Sequence, residues 1–160
     1  RRQRQMCIRD RSITDVAIKS PTPGVVNIYP LTSLGNPTKE VLDIVQTYLS
    51  DDKIRPLTDL VQVLSPEEKV FTIKATLYLY KDSDQESVLK TIEEKLKEYK
   101  KTLSEKLGKN VIRTQIIAIL NSVYGVFKVD LNMETDIDIK EHQWANLKNW
   151  EINIGGYADE

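Results

Sequence analysis

From Phe71 the chain alternates strictly: Phe71, Ile73, Ala75, Leu77 and Leu79 fall on one side, and Thr72, Lys74, Thr76, Tyr78 and Tyr80 on the other. A period of two is that of a strand with one buried and one wet face. Upstream, Val25–Leu31 is short, apolar and rich in branched residues between turn residues, which predicts a buried strand, and Leu60–Leu64 predicts a shorter one. Between them the period becomes helical: Val41, Ile44, Val45, Tyr48 and Leu49 share one face. Asn36 is placed to cap that helix and Pro37 to take its first position, where a missing N–H costs nothing.

Lys81-Asp82-Ser83-Asp84 breaks the long strand, and Val88, Leu89, Ile92, Leu96, Tyr99, Leu103 and Leu107 then trace an apolar stripe through a charged helix that Gly108 would stop. A second helix is expected over Thr114–Val123 with Ile116, Ile117 and Leu120 inward. Gly125 would turn the chain into a strand of Phe127, Val129 and Leu131, and a last strand, Trp150–Ile154, would be closed by Gly155-Gly156. This succession predicts an α+β fold: a small, mostly antiparallel sheet with helices packed on one face, on a ferredoxin-like plan. Strand order stays open.

Pro21, Pro23 and Gly24 disfavour helix and permit a sharp entry, so residues 14–24 read as a linker and 25–160 as one domain. The formal net charge of -1 divides unevenly, because the first eleven residues hold five arginines and one aspartate, +4, leaving -5 for the rest. Residues 1–13 carry no hydrophobic period and are expected to be disordered. Met6-Cys7-Ile8-Arg9-Asp10-Arg11 also resembles a translated transposase sequencing adapter, so this segment is set aside as artefactual.

Chemistry finds little footing. One cysteine, Cys7, excludes an internal disulfide, and no apolar stretch approaches the roughly 18 residues of a membrane helix. His142 is the only histidine, in the polar run Lys140–Gln143, and no G-x-S-x-G turn supplies a nucleophile. Asp130, Glu134, Asp136 and Asp138 do not follow the calcium-loop spacing and read as solvated acids. Neither glycine-rich phosphate motif occurs. No enzyme activity, metal or cofactor is therefore expected, and no membrane partner.

Two classes of binding module remain. Tyr78 and Tyr80 on the wet face of a strand would suit base stacking, so a ferredoxin-like nucleic-acid-binding module is the alternative, although the aromatic RNA-binding signature is missing. The lysines of the long helix alternate with glutamates, which leaves that face near neutral. Ile54-Arg55-Pro56-Leu57-Thr58-Asp59 reads as an ordered turn in which Arg55 can reach back to Asp59. Structural turn roles are expected of Gly24, Arg55, Pro56, Asp59, Gly108, Gly125, Gly155 and Gly156.

Several strings go further than composition. Pro21-Thr22-Pro23-Gly24-Val25-Val26-Asn27-Ile28-Tyr29-Pro30-Leu31, then Gly35-Asn36-Pro37 before a helix, resemble the baseplate J-like family of contractile tails. The likeness continues through Ile54–Asp59, Ala75–Tyr80, Leu107–Ile112, Tyr124-Gly125-Val126 and the closing Gly155-Gly156 near Asp159-Glu160, covering about Thr14 to the end. It implies a structural wedge subunit of a baseplate, with no catalysis, corresponding to the C-terminal portion of longer family members. The partners it implies are other copies of the chain and neighbouring wedge proteins around the spike-bearing hub. The location it implies is the virion tail baseplate, assembled in the host bacterial cytoplasm, in a phage tail, tailocin or other injection machine. Tyr78, Tyr80 and Trp144, aromatics outside the core pattern, are the candidate partner-binding residues.

Overall fold

A computed structural model describes residues 13–50 and 60–158. These contain β1 (Ile13–Thr22), β2 (Val25–Thr32), α1 (Lys39–Leu49), β3 (Leu60–Val63), β4 (Glu67–Tyr80), α2 (Gln85–Ser104), α3 (Arg113–Asn121), β5 (Val126–Leu131) and β6 (Gln143–Ala158). The class is α+β. The single, mostly antiparallel sheet of a ferredoxin-like plan is replaced by two three-stranded sheets, ordered β1-β2-β3 and β5-β4-β6. The one domain expected over 25–160 is likewise two compact units. The first takes in the described residues up to Lys69 with Ser104–Lys109 and Lys140–Trp144; the second takes in Val70–Leu103, Asn110–Ile139 and the described residues from Ala145.

In the first unit, residues 14–24 are not a linker: they form β1 and its turn, with β1 antiparallel to β2 from Ile13↔Thr32 to Thr22↔Val25. The branched residues Ile13, Val16 and Ile18 favour strand over the extended linker that the prolines suggested. Pro23 and Gly24, with φ +80° at the glycine, form the two-residue connection, and a left-handed residue after proline is what a type II turn requires. The Gly24 carbonyl then accepts the Leu60 amide at 2.7 Å, which starts the parallel β2–β3 ladder, Val25↔Leu60 to Ile28↔Val63.

The first helix begins later than Asn36. Thr38 is its N-cap residue, because the Asn36 carboxamide accepts a 2.7 Å bond from Trp144 Nε1 instead. No α1 residue is fully buried, and Ile44 and Tyr48 of the expected inward stripe are exposed. The described core of this unit is small: Leu31 and Trp144 are buried there with the prolines Pro30, Pro37 and Pro66.

The second unit holds the main core. The predicted face of β4, Phe71 to Leu79, is buried under α2 residues Val88, Ile92, Leu96, Tyr99 and Leu103 and α3 residues Ile116 and Leu120. Each fully buried Leu or Ile there stabilises the fold by about 1.5–3 kcal/mol before entropy is counted. β4 pairs antiparallel with β5, Ala75↔Leu131 to Leu79↔Val126. On its other side β6 runs parallel: Lys74 reaches Glu151 at 2.8 Å, and Gly155 lies against Thr76 and Tyr78. An irregularity between Tyr78 and Leu79 turns Val126 and Val129 inward and leaves Phe127 half exposed, where alternation predicted Phe127, Val129 and Leu131 together.

Two expected boundaries move. α2 ends at Ser104, so Gly108 does not stop it; the Gly108 amide instead donates to the Gln143 carbonyl at 2.9 Å. β6 continues through Gly155 and Gly156 to Ala158, so these glycines lie inside a strand rather than after one.

Candidate partner-facing surface

In the second unit the helices α2 and α3 pack on one face of the sheet, and among the described residues of this unit no helix covers the other. Tyr78 and Tyr80 stand there half-buried, because the alternation that buries Leu77 and Leu79 turns them out. Tyr80 meets Phe127 edge to face, with ring centroids 5.4 Å apart at 78°. Lys128 Nζ sits 5.3 Å from the Tyr78 ring centre and bonds Asp130 at 2.9–3.0 Å. The hydrogen bond and charge of Asp130 hold the Lys128 ammonium above its ordinary pKa. Lys74 and Glu151 form a second exposed pair. Opposite charges thus sit in pairs on the face that carries the aromatic rings, which suits a polar, amphipathic protein contact better than a stretch of phosphates.

Gly155 makes this face possible. A Cβ there would lie 2.7 Å from Thr76 Cγ2 and 2.9 Å from Tyr78 Cζ, so the bare backbone lets the tyrosine lie down on β6. Near the end of β6, the Tyr157 hydroxyl donates to Gln85 Oε1 at 2.8 Å. Tyr80 also lines a surface cleft of about 700 Å³ with Lys81, Ser83, Asn121, Tyr124 and Ala158. Tyr124 is 96% exposed on its rim. Alternation could not reveal Tyr124, which lies in a turn; the signal was its position between a helix end and Gly125. Gly125 itself, at φ +95°, accepts the Tyr80 amide through its carbonyl at 3.0 Å.

Trp144 does not belong to this surface. It is 5% exposed, packed in the first unit over Gly35, and is an interior residue rather than a partner anchor. Arg55, Pro56 and Asp59 lie outside the described residues.

Several of the titratable groups singled out by type have structural partners. Asp136 Oδ1 accepts the Arg113 amide at 2.8 Å and so caps α3 from a distance, while Arg113 Nη1 donates to the Glu134 carbonyl at 2.8 Å. Asp130 is taken by Lys128. Among the described residues no three His, Cys, Asp or Glu side chains gather closely enough to hold a metal. His142 rests on Tyr29, ring centres 5.4 Å apart, with Nε2 3.8 Å from Glu67. Glu67 accepts a 2.7 Å bond from Gln143 Nε2; that bond, then Lys69, holds its carboxyl below the ordinary range. Tyr99, deep in the core, has its hydroxyl pushed up by burial.

Comparison with known proteins agrees with this arrangement of two units. Residues 10–65 match the baseplate J-like central domain and residues 71–153 the baseplate J-like protein C-terminal domain. The chain is 30% identical over 154 residues to "Baseplate protein J" of Escherichia phage P2, covering 94% of this chain and 50% of that protein. It therefore spans about half the length of this curated relative. The fold is similar to a chain in the cryo-EM structure of the anti-feeding prophage baseplate, with a TM-score of 0.55 at 13% identity, over 87% of this chain and 34% of that one. With one family domain matched over more than half of its residues and a second over most of the remainder, the chain belongs to the baseplate J-like protein family.

Proposed function

We propose that this chain is a structural part of the baseplate of a contractile phage tail or related injection particle, acting through protein contacts and not through catalysis. The observation that carries the reading is the likeness to the phage P2 baseplate protein over 94% of the chain. The helix-free face of the second unit supports it: aromatic rings held by close packing, flanked by charge pairs, have the composition of an interface. Its partners are neighbouring baseplate wedge proteins and further copies of itself, and its place is the tail baseplate, assembled in the host cytoplasm.

Co-expression with the proteins encoded beside it tests this. The intact chain should co-purify with at least one of them, and Tyr78→Ser or Tyr80→Ser should weaken that recovery while leaving the melting temperature nearly unchanged. Absence of any co-purification by the intact chain would remove the assembly role from this part of the protein.

A further inference from the structure

The two edges of the first sheet are treated differently. At β3 the outward backbone is closed by one side chain: Gln46 Oε1 accepts the Val63 amide at 2.7 Å, and Gln46 Nε2 donates to the Val61 carbonyl at 2.9 Å. The same Nε2 lies 3.0 Å from Ser50 Oγ. A primary amide that satisfies both a carbonyl and an N–H of an edge strand does the work of a neighbouring strand residue. At the opposite edge β1 has β2 as its sole strand neighbour among the described residues. It presents Val16 at 46% and Ile18 at 65% exposure.

The sequence of β1 complements itself. Laid antiparallel against a second copy about Ala17, Val16 falls opposite Ile18, Asp15 opposite Lys19, and Thr14 opposite Ser20. Side chains so opposed stand about 4.5–5.5 Å apart, close enough for the branched pairs to pack and the charged pairs to bond. Ala17, small, sits at the crossing. Asp15 is already oriented, its Oδ2 accepting the Leu107 amide and its Oδ1 the Val16 amide, both at 3.0 Å; on docking, the outward Val16 N–H exchanges this exposed local bond for the Ile18 carbonyl of the second copy. A carboxylate has lone pairs left for a lysine. Lys19 lies 3.9 Å from Glu141, too long for a hydrogen bond, and can turn to a closer acceptor.

We infer that β1 is the docking edge for a second copy of this chain, which pairs antiparallel about Ala17 and joins two three-stranded sheets into one of six strands. The pairing uses the same edge on both copies and so closes on itself, while Gln46 keeps the far edge from propagating a fibre. The inference deepens the assembly reading by naming one partner and rests on it only for the purpose of the contact. The Tyr78 and Tyr80 variants bear on that reading alone.

Sedimentation of the purified chain over a concentration series tests it. The wild type should reach twice the chain mass. Lys19→Asp and Asp15→Lys should each stay at the single-chain mass, because each homodimer would oppose like charges twice. An equimolar mixture of the two variants should recover the doubled mass, since every opposed pair is then of opposite sign. Because Asp15→Lys also gives up the Leu107 bond, Ile18→Lys is the second probe: an exposed side chain whose replacement should keep the melting temperature and abolish the dimer. A wild type that keeps the single-chain mass throughout, or variants that dimerise as well as it does, would overturn the inference.

Discussion

Trp144 lies so close over Gly35 that a Cβ on the glycine would fall 2.9 Å from its Cζ2, while its Nε1 bonds Asn36 Oδ1 at 2.7 Å. Gly35 also closes a tight turn with Thr32, exchanging backbone bonds of 2.9 and 3.0 Å, and adopts φ +95°. Backbone conformation, turn and indole packing thus meet at a residue that must have no side chain.

Gly35→Ala should accordingly destabilise by about 2–4 kcal/mol, from left-handed strain and a displaced indole together. Chemical denaturation measures the loss, and the tryptophan emission of the folded protein should shift red as Trp144 is loosened. Trp144→Ser should cost about 3–5 kcal/mol, as large-to-small core changes do. Trp144→Phe, which loses mainly the bond to an exposed asparagine, should cost less than either.

The same pair shows where the sequence was legible and where it was not. Alternation from Phe71 to Leu79 and the stripe from Val88 to Leu103 gave the main core almost residue by residue, because burial on one face leaves a period that can be counted. Trp144 has no such signature: it follows buried Gln143 and precedes buried Ala145, so no alternation marks it, and its exposure is set by Gly35, far away in the chain. Asn36 read as a helix cap for the same reason, its true partner being distant in sequence. β1 read as a linker because its prolines lie at the turn end, while the pairing that makes it a strand comes from β2. Tyr78 and Tyr80 were legible as outward-facing; the glycine beneath Tyr78 was read as a strand terminator, since close approach leaves no local trace.

Gln46→Leu should expose the whole outward edge of β3. Removing one side chain leaves the Val63 N–H and the Val61 carbonyl without their partner, at a cost of about 1–3 kcal/mol. Amide exchange at Val63 should speed up well beyond that at β4 core positions. With β1 intact, the variant should also form species larger than a dimer, which sedimentation would register; an unchanged distribution would deny Gln46 its blocking role.

Acid should weaken the Glu67 contact in a defined direction. The Gln143 bond and Lys69, with His142 adding its charge when protonated, hold the Glu67 carboxyl below its ordinary 4.5. A lowered folded pKa means that the contribution is fully present above the unfolded value and is lost as pH falls through the folded one. The melting-temperature gap between wild type and Glu67→Gln should therefore be present above pH 4.5 and close as the pH falls below it. A gap that widened below pH 4.5 would reverse the assignment.

Gly155→Ala separates the position of Tyr78 from its presence. The added Cβ would meet Thr76 Cγ2 at 2.7 Å and Tyr78 Cζ and Cε1 at 2.9–3.0 Å, all side-chain atoms on the open face that can swing toward solvent. No core residue need move, so the loss of stability should stay below about 1 kcal/mol, as for surface changes generally, and the smaller entropy of the unfolded alanine chain offsets part of it. The ring, however, must leave its place beside Lys128, whose ammonium now stands 5.3 Å from its centre. If the face recognises a baseplate neighbour through that ring, Gly155→Ala should reduce co-purification nearly as far as Tyr78→Ser while melting like wild type. Full recovery of the partner with Gly155→Ala, alongside loss with Tyr78→Ser, would show that the hydroxyl or the bulk of the tyrosine matters and its fixed position does not.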